Sequence, residues 1–221
     1  MQNKFSQKGF CSWWIAVGIA IVLGGGMVVS AQTQELPQDP FARGLLFLKQ
    51  NKLEEAKQCF DLDIAQHPNH KEAYYYRGVC LVKLNLVDEA MNNFNRSLAI
   101  DQSFPLGFVG RAQVFIKKMD YPAATQEIDK ALLINPKCAE AYYQKGLIFG
   151  YQKSTTAAID SFKKCLEIDP NHAYAHYQLG LAYYQIKRPD LTIIHFEKFL
   201  ALAPEVPEAE QVRNLLNAIR K

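Results

Sequence analysis

The sequence carries little net charge. Its 25 Lys and Arg residues stand against 22 Asp and Glu residues, a formal charge of +3 at pH 7. Two of the cations, Lys4 and Lys8, lie in an N-terminal segment without acids, so the remainder holds 23 basic against 22 acidic residues. Nucleic-acid-binding surfaces usually cluster Lys and Arg. The sequence has no such cluster, and we do not expect nucleic acid as a partner.

The sequence also lacks the motifs that organise a catalytic or metal site. It contains no glycine-rich phosphate loop, no nucleophile elbow and no pair of carboxylates in a catalytic arrangement. His172 and His176 have the i, i+4 spacing that places two imidazoles on one helix face, but no HExxH motif and no cysteine pair at zinc spacing accompanies them. We therefore expect a protein that is not an enzyme and uses no cofactor, metal or small-molecule substrate.

Cysteine is scarce, with five residues, and Cys11 precedes the apolar N-terminal run. The other four are Cys59, Cys80, Cys138 and Cys165. In an oxidising compartment the first two and the last two could form disulfides. The alternative is free thiols, because a buried cysteine behaves as a small hydrophobic residue. The sequence leaves both open.

The first 31 residues predict a membrane-directed segment, because residues 13–31 carry no charge. Nineteen residues of helix span about 28 Å, close to the ~30 Å hydrocarbon core, which fits a retained transmembrane anchor. The glycines at 24–26 and the small residues before Gln32 favour a signal peptide cleaved after Ala31. A buried helix of a soluble protein is the remaining alternative.

In the first two cases Lys4 and Lys8 keep the N-terminus in the cytoplasm, and the rest of the chain is exported. We expect a periplasmic or secreted protein after cleavage. Without cleavage, we expect a single-pass protein with its main domain on the non-cytoplasmic side and residues 13–31 in contact with the membrane.

The rest of the chain repeats every 34 residues. A small residue recurs five times at this spacing, and we call these positions the register: Gly44, Gly78, Ala112, Gly146 and Gly180. Twelve residues further on come Ala56, Ala90, Ala124, Ala158 and Thr192. Sixteen residues after the register come Phe60, Phe94, Ile128, Phe162 and Phe196. Twenty-four residues after it come Pro68, Gln102, Pro136, Pro170 and Pro204. Small residues let two helices approach, large side chains fill the space beside them, and proline ends a helix.

This order of small, aromatic and proline residues resembles the tetratricopeptide repeat family. The resemblance implies an all-α fold, a right-handed superhelical α-solenoid of helix-turn-helix repeats. It predicts repeats at 37–70, 71–104, 105–138, 139–172 and 173–206, after a linker at 32–36. Residues 207–221 contain Val212, Leu215, Leu216 and Ile219 at helical spacing, which predicts a capping helix over the open end of the stack.

The family usually binds its ligands along a concave face formed by the first helix of each repeat. The resemblance therefore assigns a groove to apolar and aromatic positions counted from the register. These are Phe41, Leu45, Leu48, Tyr75, Val79, Val82, Val109, Gln113, Ile116, Tyr143, Leu147, Tyr151, Tyr177, Leu181 and Tyr184. An apolar stripe of this size favours a protein partner, although the tyrosines three residues before the register can instead pack along the superhelix.

Members that clamp an acidic C-terminal tail carry polar and basic residues at fixed positions. The matching positions in this chain hold Phe41, Leu45, Tyr76, Leu106 and Gly110, which disfavours such a tail. The main hypothesis is therefore a scaffold or adaptor that binds an apolar peptide or helix of another protein, in assembly of an envelope or membrane complex. The alternative is a structural, self-associating repeat protein without a dedicated peptide ligand.

Overall fold

The computed structural model describes residues 36–220, and the N-terminal segment that we predict to be a signal or anchor lies outside them. All regular secondary structure in this part of the chain is α-helical. The helices are α1 (Pro40–Lys49), α2 (Leu53–Gln66), α3 (Lys71–Lys83), α4 (Val87–Ile100), α5 (Pro105–Lys117), α6 (Tyr121–Ile134), α7 (Ala139–Tyr151), α8 (Thr155–Ile168), α9 (Ala173–Gln185), α10 (Pro189–Leu202) and α11 (Glu208–Ile219).

Consecutive helices form five hairpins, from α1–α2 to α9–α10, and each hairpin packs on the next. The capping helix α11 lies against α10, where Val212 and Leu216 join Phe196 and Phe199 in one apolar cluster. Helices of this length are marginal in isolation, so packing between hairpins must stabilise them. The all-α solenoid fold predicted from the 34-residue period is confirmed.

The register explains how closely the two helices of a hairpin approach. A Cβ atom added to Gly78 would lie 2.5 Å from the ring of Phe94 in the facing helix, closer than two carbon atoms can pack. A Cβ atom added to the register glycine of the first, fourth or fifth hairpin would likewise lie 2.3–2.7 Å from the phenylalanine ring of the same hairpin. In the third hairpin, Ala112 and Ile128 replace the glycine and the phenylalanine. The smaller isoleucine leaves room for the methyl group of Ala112, and both residues are fully buried.

The second helices end where the backbone turns extended. The residue before Pro136 has φ −133° and that before Pro170 has φ −124°, as expected for residues that precede proline. The second hairpin has Gln102 in place of proline, yet Asp101 is also extended, with φ −142°. The Asp101 carboxylate accepts hydrogen bonds from both the backbone N–H and the hydroxyl of Ser103. This turn ends α4 without a proline.

The first helices all end in the same left-handed turn. The residue seven positions after the register has a φ of 57–65° in every hairpin. The next residue donates its N–H to the carbonyl five residues earlier, at 2.8–2.9 Å, which is the Schellman arrangement. The left-handed residues are Asn51, Asn85, Met119, Lys153 and Lys187. Asparagine tolerates this conformation better than methionine or lysine does.

Replacing Lys187 by asparagine is therefore expected to raise the free energy of unfolding by about 0.5 kcal/mol, because the left-handed backbone becomes less strained. The reciprocal change, Asn85→Lys, should lower it by a similar amount. Urea denaturation of both variants measures the difference, and a shift of the same sign in both would contradict this explanation.

A row of basic residues directly before the register also connects the hairpins. Arg77 donates 2.7 Å hydrogen bonds to Asn93 in its own hairpin and to Asp61 in the preceding one. Lys145 likewise reaches back to Asp129 at 3.2 Å. These side chains therefore join neighbouring repeats as well as the two helices of one repeat, a role that we did not predict from the sequence.

Candidate functional site

The first helices of the hairpins line a cavity of about 860 Å³, which we call the central groove. Its walls come from α1, α3, α5 and α7, with contributions from the starts of α6, α9 and α11. Ligand pockets typically measure about 300–1,000 Å³. Most of the residues that the sequence assigned to a groove lie in this wall. They are Leu45, Leu48, Tyr75, Val79, Val82, Gln113, Ile116, Tyr143, Leu147 and Tyr151.

The other five assigned residues do not line the central groove. Val109 is fully buried in the core of the third hairpin. Tyr177 packs on Phe199, with ring centroids 5.1 Å apart. Leu181 lines a smaller, separate cavity, and Tyr184 is 49% exposed on α9 without reaching the groove. The remaining residue, Phe41, lies beside His70 instead, with ring centroids 4.5 Å apart.

Three of these five residues, Phe41, Val109 and Tyr177, occupy the position three residues before the register. Its side chain contacts the residue that precedes the first helix of the next hairpin, as Tyr143 does at 4.6 Å from His172 and Tyr75 at 6.1 Å from Phe104. Tyr75 is only 4% exposed. Burial raises the pKa of Tyr75 and of Tyr143 above the ordinary tyrosine value. These two tyrosines thus form part of the groove wall and also hold adjacent repeats together.

Several residues of the groove wall were missed from the sequence. The clearest set is a row of lysines at the last position of α1, α3 and α5, namely Lys49, Lys83 and Lys117. Their 34-residue spacing is visible in the sequence and could have revealed them. The other missed residues are Tyr76 and Gln144 in the middle of α3 and α7, together with residues in helix starts and turns: Met119, Tyr121, Glu140, His172, Tyr174 and Glu208.

The charged residues that line the central groove come from different hairpins. The lysine row lies in the first three hairpins, whereas the carboxylates, Glu140 and Glu208, belong to the fourth hairpin and the capping helix. The floor of the groove beside the lysines is apolar, with Val79 and Ile116 among its residues. This arrangement suits a segment that is apolar on one face and acidic where it passes the lysines.

Glu140 joins three hairpins within the groove wall. Its carboxylate accepts hydrogen bonds from Gln144 on α7 at 2.7 Å and from Gln113 on α5 at 3.4 Å. Nε2 of His172, at the start of α9, lies 3.2 Å from the same carboxylate. Because Nδ1 of His172 accepts the N–H of Ala175, Nε2 carries the proton and donates. Burial lowers the pKa of His172, but the hydrogen bond and charge of Glu140 outweigh it and raise the pKa overall.

A contact across the central groove connects the second hairpin with the fifth. Nζ of Lys83 lies 5.8 Å from the ring centroid of Tyr174, within cation–π range. The Tyr174 hydroxyl donates a long hydrogen bond of 3.5 Å to Glu208. Burial, together with the charge of Glu208, raises the pKa of Tyr174 to about 12. The groove is therefore bounded on this side by side chains far apart in sequence.

The histidines do not gather into a metal centre. Among residues 36–220, no group of three or more His, Cys, Asp or Glu side chains could hold a metal ion. His176 contacts His195 instead, with the two Nδ1 atoms 2.9 Å apart, so one ring donates to the other. Its Nε2 lies 3.1 Å from the carbonyl of Pro170. Burial, followed by the nearby His176, lowers the pKa of His195 to about 4.

This histidine pair predicts that stability rises with pH. Unfolded histidine has a pKa near 6.5, so the unfolded chain binds more protons than the folded chain between about pH 4 and pH 6.5. Since the ring of His195 is partly exposed, we expect about 1–2 kcal/mol for this group. His195→Asn, the residue that Asn93 supplies at the equivalent position, should flatten the dependence. Urea denaturation of both proteins at pH 5 and pH 7 tests this, and equal slopes would contradict it.

The four cysteines of the described chain are free and buried, which matches the free-thiol alternative. Burial raises the pKa of Cys80 and of Cys165 to about 12, and that of Cys138 above its ordinary value. Such thiols remain protonated and unreactive at neutral pH. No helix within residues 36–220 combines the length and apolar character needed to cross a membrane.

The fold and the groove define a class, the α-solenoid proteins built from stacked helical hairpins. Family models place the chain within that class. Models described as tetratricopeptide repeat match residues 41–104 and 173–206, and one described as TPR repeat matches residues 146–187. The chain belongs to the tetratricopeptide repeat family. Proteins of this family are typically non-enzymatic scaffolds, and the chain is a scaffold for protein–protein interaction.

Solved structures show the same fold. TTC0263, a thermophilic TPR protein of Thermus thermophilus, aligns with a TM-score of 0.69 at 20% identity, over 83% of this chain and 98% of its own. A chain of the APC/C hetero-tetramer Cut9–Hcn1 aligns with a TM-score of 0.54 at 22% identity, over 82% of this chain and 42% of its own. No curated protein matches the sequence significantly.

Proposed function

We propose that this scaffold is exported or anchored in a membrane and holds an apolar segment of another protein in its central groove, during assembly of an envelope or membrane complex. The observation that carries the proposal is the groove itself, about 860 Å³ in volume and lined by aliphatic and aromatic side chains of four successive first helices. An apolar surface that the chain leaves uncovered favours a partner.

The charges in the groove indicate which residues the bound segment carries. Lys49, Lys83 and Lys117 follow one another along the first three hairpins, beside apolar residues such as Val79. An extended or helical segment with acidic residues on the side facing these lysines would complement them. Buried apolar contacts would supply most of the affinity and the lysines the orientation.

Cross-linking inside cells tests the groove. A photoreactive amino acid at position 116, in the groove wall, should capture a discrete partner protein. The matched control is position 133 on α6, because Leu133 is 85% exposed and lies outside the groove. Adding Val79→Glu should reduce capture from position 116 about 30-fold, since it places a charge in the apolar floor.

Two outcomes would overturn groove binding: equal capture from both positions, or capture that Val79→Glu leaves unchanged. A cross-linked product that contains only this chain would indicate the self-associating alternative.

A topology reporter tests the localisation. Alkaline phosphatase is active only outside the cytoplasm, so a fusion after residue 36 should be active in cells, and the mass of the released protein shows whether cleavage follows Ala31. Replacing the apolar residues 15–23 by a polar sequence should abolish the activity. Activity that persists after this replacement would contradict export by the N-terminal segment.

A further inference from the structure

A second cavity, which we call the side pocket, is lined by residues of α7, α8 and α9. It measures about 300 Å³ and is lined mainly by apolar residues, including Leu147, Phe162 and Leu181. Phe162 is 2% exposed, so the base of the pocket is part of the hairpin core. For comparison, an apolar cavity of about 150 Å³ is large enough to hold benzene. The side pocket could therefore hold one large apolar side chain.

A single glycine accounts for the open space. Gly150 occupies the fourth position after the register, and a Cβ atom built on it would meet nothing within 4 Å. The other hairpins carry a large side chain at the same position: Leu48, Val82, Ile116 and Tyr184. Glycine inside a helix lowers its stability relative to alanine, and the packing of α7 gives no reason for a glycine here. The missing side chain leaves room for a group from outside the chain.

The side pocket adjoins the central groove. Leu147 and Tyr151 line both cavities, and Tyr151 is 57% exposed at their junction. A segment lying in the groove at α7 would thus pass the opening of the pocket. An inserted side chain would bury its apolar surface between two helices, as anchor residues do at interfaces.

The rim of the side pocket carries positive charge. Lys153 is the charged residue in its lining. No carboxylate belongs to the lining. The rim therefore complements an acidic group, in agreement with the lysine row further along the central groove.

We propose that the side pocket receives one large apolar side chain, leucine, methionine or phenylalanine, from the protein segment bound in the central groove, and that an acidic residue beside this anchor faces Lys153. This inference rests on the proposed function and adds a specificity-determining position to it. Gly150 sets the size of the pocket, and Lys153 selects the charge of the flanking residue.

Selection from a phage library of random 16-residue peptides against the full-length protein in mild detergent tests this. We expect the selected sequences to be enriched in an apolar residue next to Asp or Glu. A synthetic peptide from this pool should bind Gly150→Leu about 30-fold more weakly, because leucine fills the pocket. Gly150→Ala adds only one methyl group and should weaken binding much less, whereas Leu133→Ala, outside both cavities, is the control that should bind as wild type does.

A double-mutant cycle shows whether the anchor enters this pocket. Replacing the anchor residue of the peptide by alanine should weaken binding to wild type by the same factor, and should cause no further loss with Gly150→Leu. Lys153→Glu should weaken the acidic peptide about fivefold and leave its amide counterpart unaffected. Circular dichroism and the Tm verify the fold, and Leu181→Phe fills the pocket from the opposite wall if Gly150→Leu does not fold.

The proposal is overturned if the pocket-filling variant binds as wild type does, or if the losses in the cycle add independently. A separate result identifies failure of the proposed function itself. In that case the library would yield no peptide whose binding is lost in Val79→Glu, whereas failure of the side pocket alone would leave groove-dependent peptides that are indifferent to position 150.

Discussion

Replacing Gly146 by alanine is expected to lower the free energy of unfolding by about 2 kcal/mol. The added Cβ atom would lie 2.4 Å from Cε1 of Phe162, so this ring, which is 2% exposed, would have to leave its place in the hairpin core. Overpacking of this kind costs up to about 3 kcal/mol. The higher helix propensity of alanine recovers about 1 kcal/mol. Urea denaturation followed by circular dichroism measures the change.

The third hairpin of the same chain suggests the rescue. There, Ala112 and Ile128 occupy the two positions that Gly146 and Phe162 occupy in the fourth hairpin, and both are fully buried. We expect Phe162→Ile alone to cost about 1–2 kcal/mol through lost packing. The double variant, Gly146→Ala with Phe162→Ile, should return to within about 1 kcal/mol of wild type, a coupling of at least about 2 kcal/mol.

Gly150→Ala controls for helix propensity in the same helix. Its Cβ atom meets nothing within 4 Å, so the change should raise the free energy of unfolding by about 1 kcal/mol. If Gly146→Ala were equally stabilising, close approach of α7 and α8 at the register would not be the reason for the glycine. Additive effects in the Gly146–Phe162 cycle would lead to the same conclusion.

The 34-residue period was sufficient to predict the hairpins because contacts within a single hairpin require each of the repeated residue types. The register glycine contacts the phenylalanine sixteen residues later, and this contact sets the distance between the two helices of the hairpin. The proline after the second helix sets where that helix ends. The capping helix followed from Val212, Leu215, Leu216 and Ile219, and α11 (Glu208–Ile219) lies within the predicted residues 207–221. These features depend on contacts within a hairpin or between neighbours.

The central groove was predicted only in part, because its ends depend on how five hairpins curve together. Contacts such as Lys83 with Tyr174 join the second hairpin to the fifth, and no local pattern reveals them. The packing of Val109 into the core of the third hairpin was also missed, since the rule counted from the register treats every hairpin alike. The histidine and glutamate of the groove wall, His172 and Glu140, were missed for the same reason.

Replacing Arg111 by methionine is expected to lower the free energy of unfolding by about 3 kcal/mol. Nε of Arg111 lies 3.2 Å from Oε2 of Glu127, whose side chain is 5% exposed. Removing one partner of a buried ion pair leaves the other charge without compensation, at a cost of about 3–5 kcal/mol. Lys130, 2.7 Å from the other oxygen, compensates in part, so we place the effect at the lower limit.

A double variant distinguishes the contribution of the charges from that of side-chain packing. Arg111→Met with Glu127→Leu removes both charges and keeps the volume nearly constant, so its stability should lie within about 1 kcal/mol of wild type. Lys130→Met is the control, because the Lys130 side chain is 51% exposed and its pair with Glu127 should contribute less than about 1 kcal/mol. A double variant as unstable as Arg111→Met would show that arginine acts through packing between α5 and α6. In the expected case, the buried carboxylate of Glu127 needs a nearby cation, and Arg111 supplies it from the facing helix. Arg77 and Lys145 contact polar partners on other helices in a similar way.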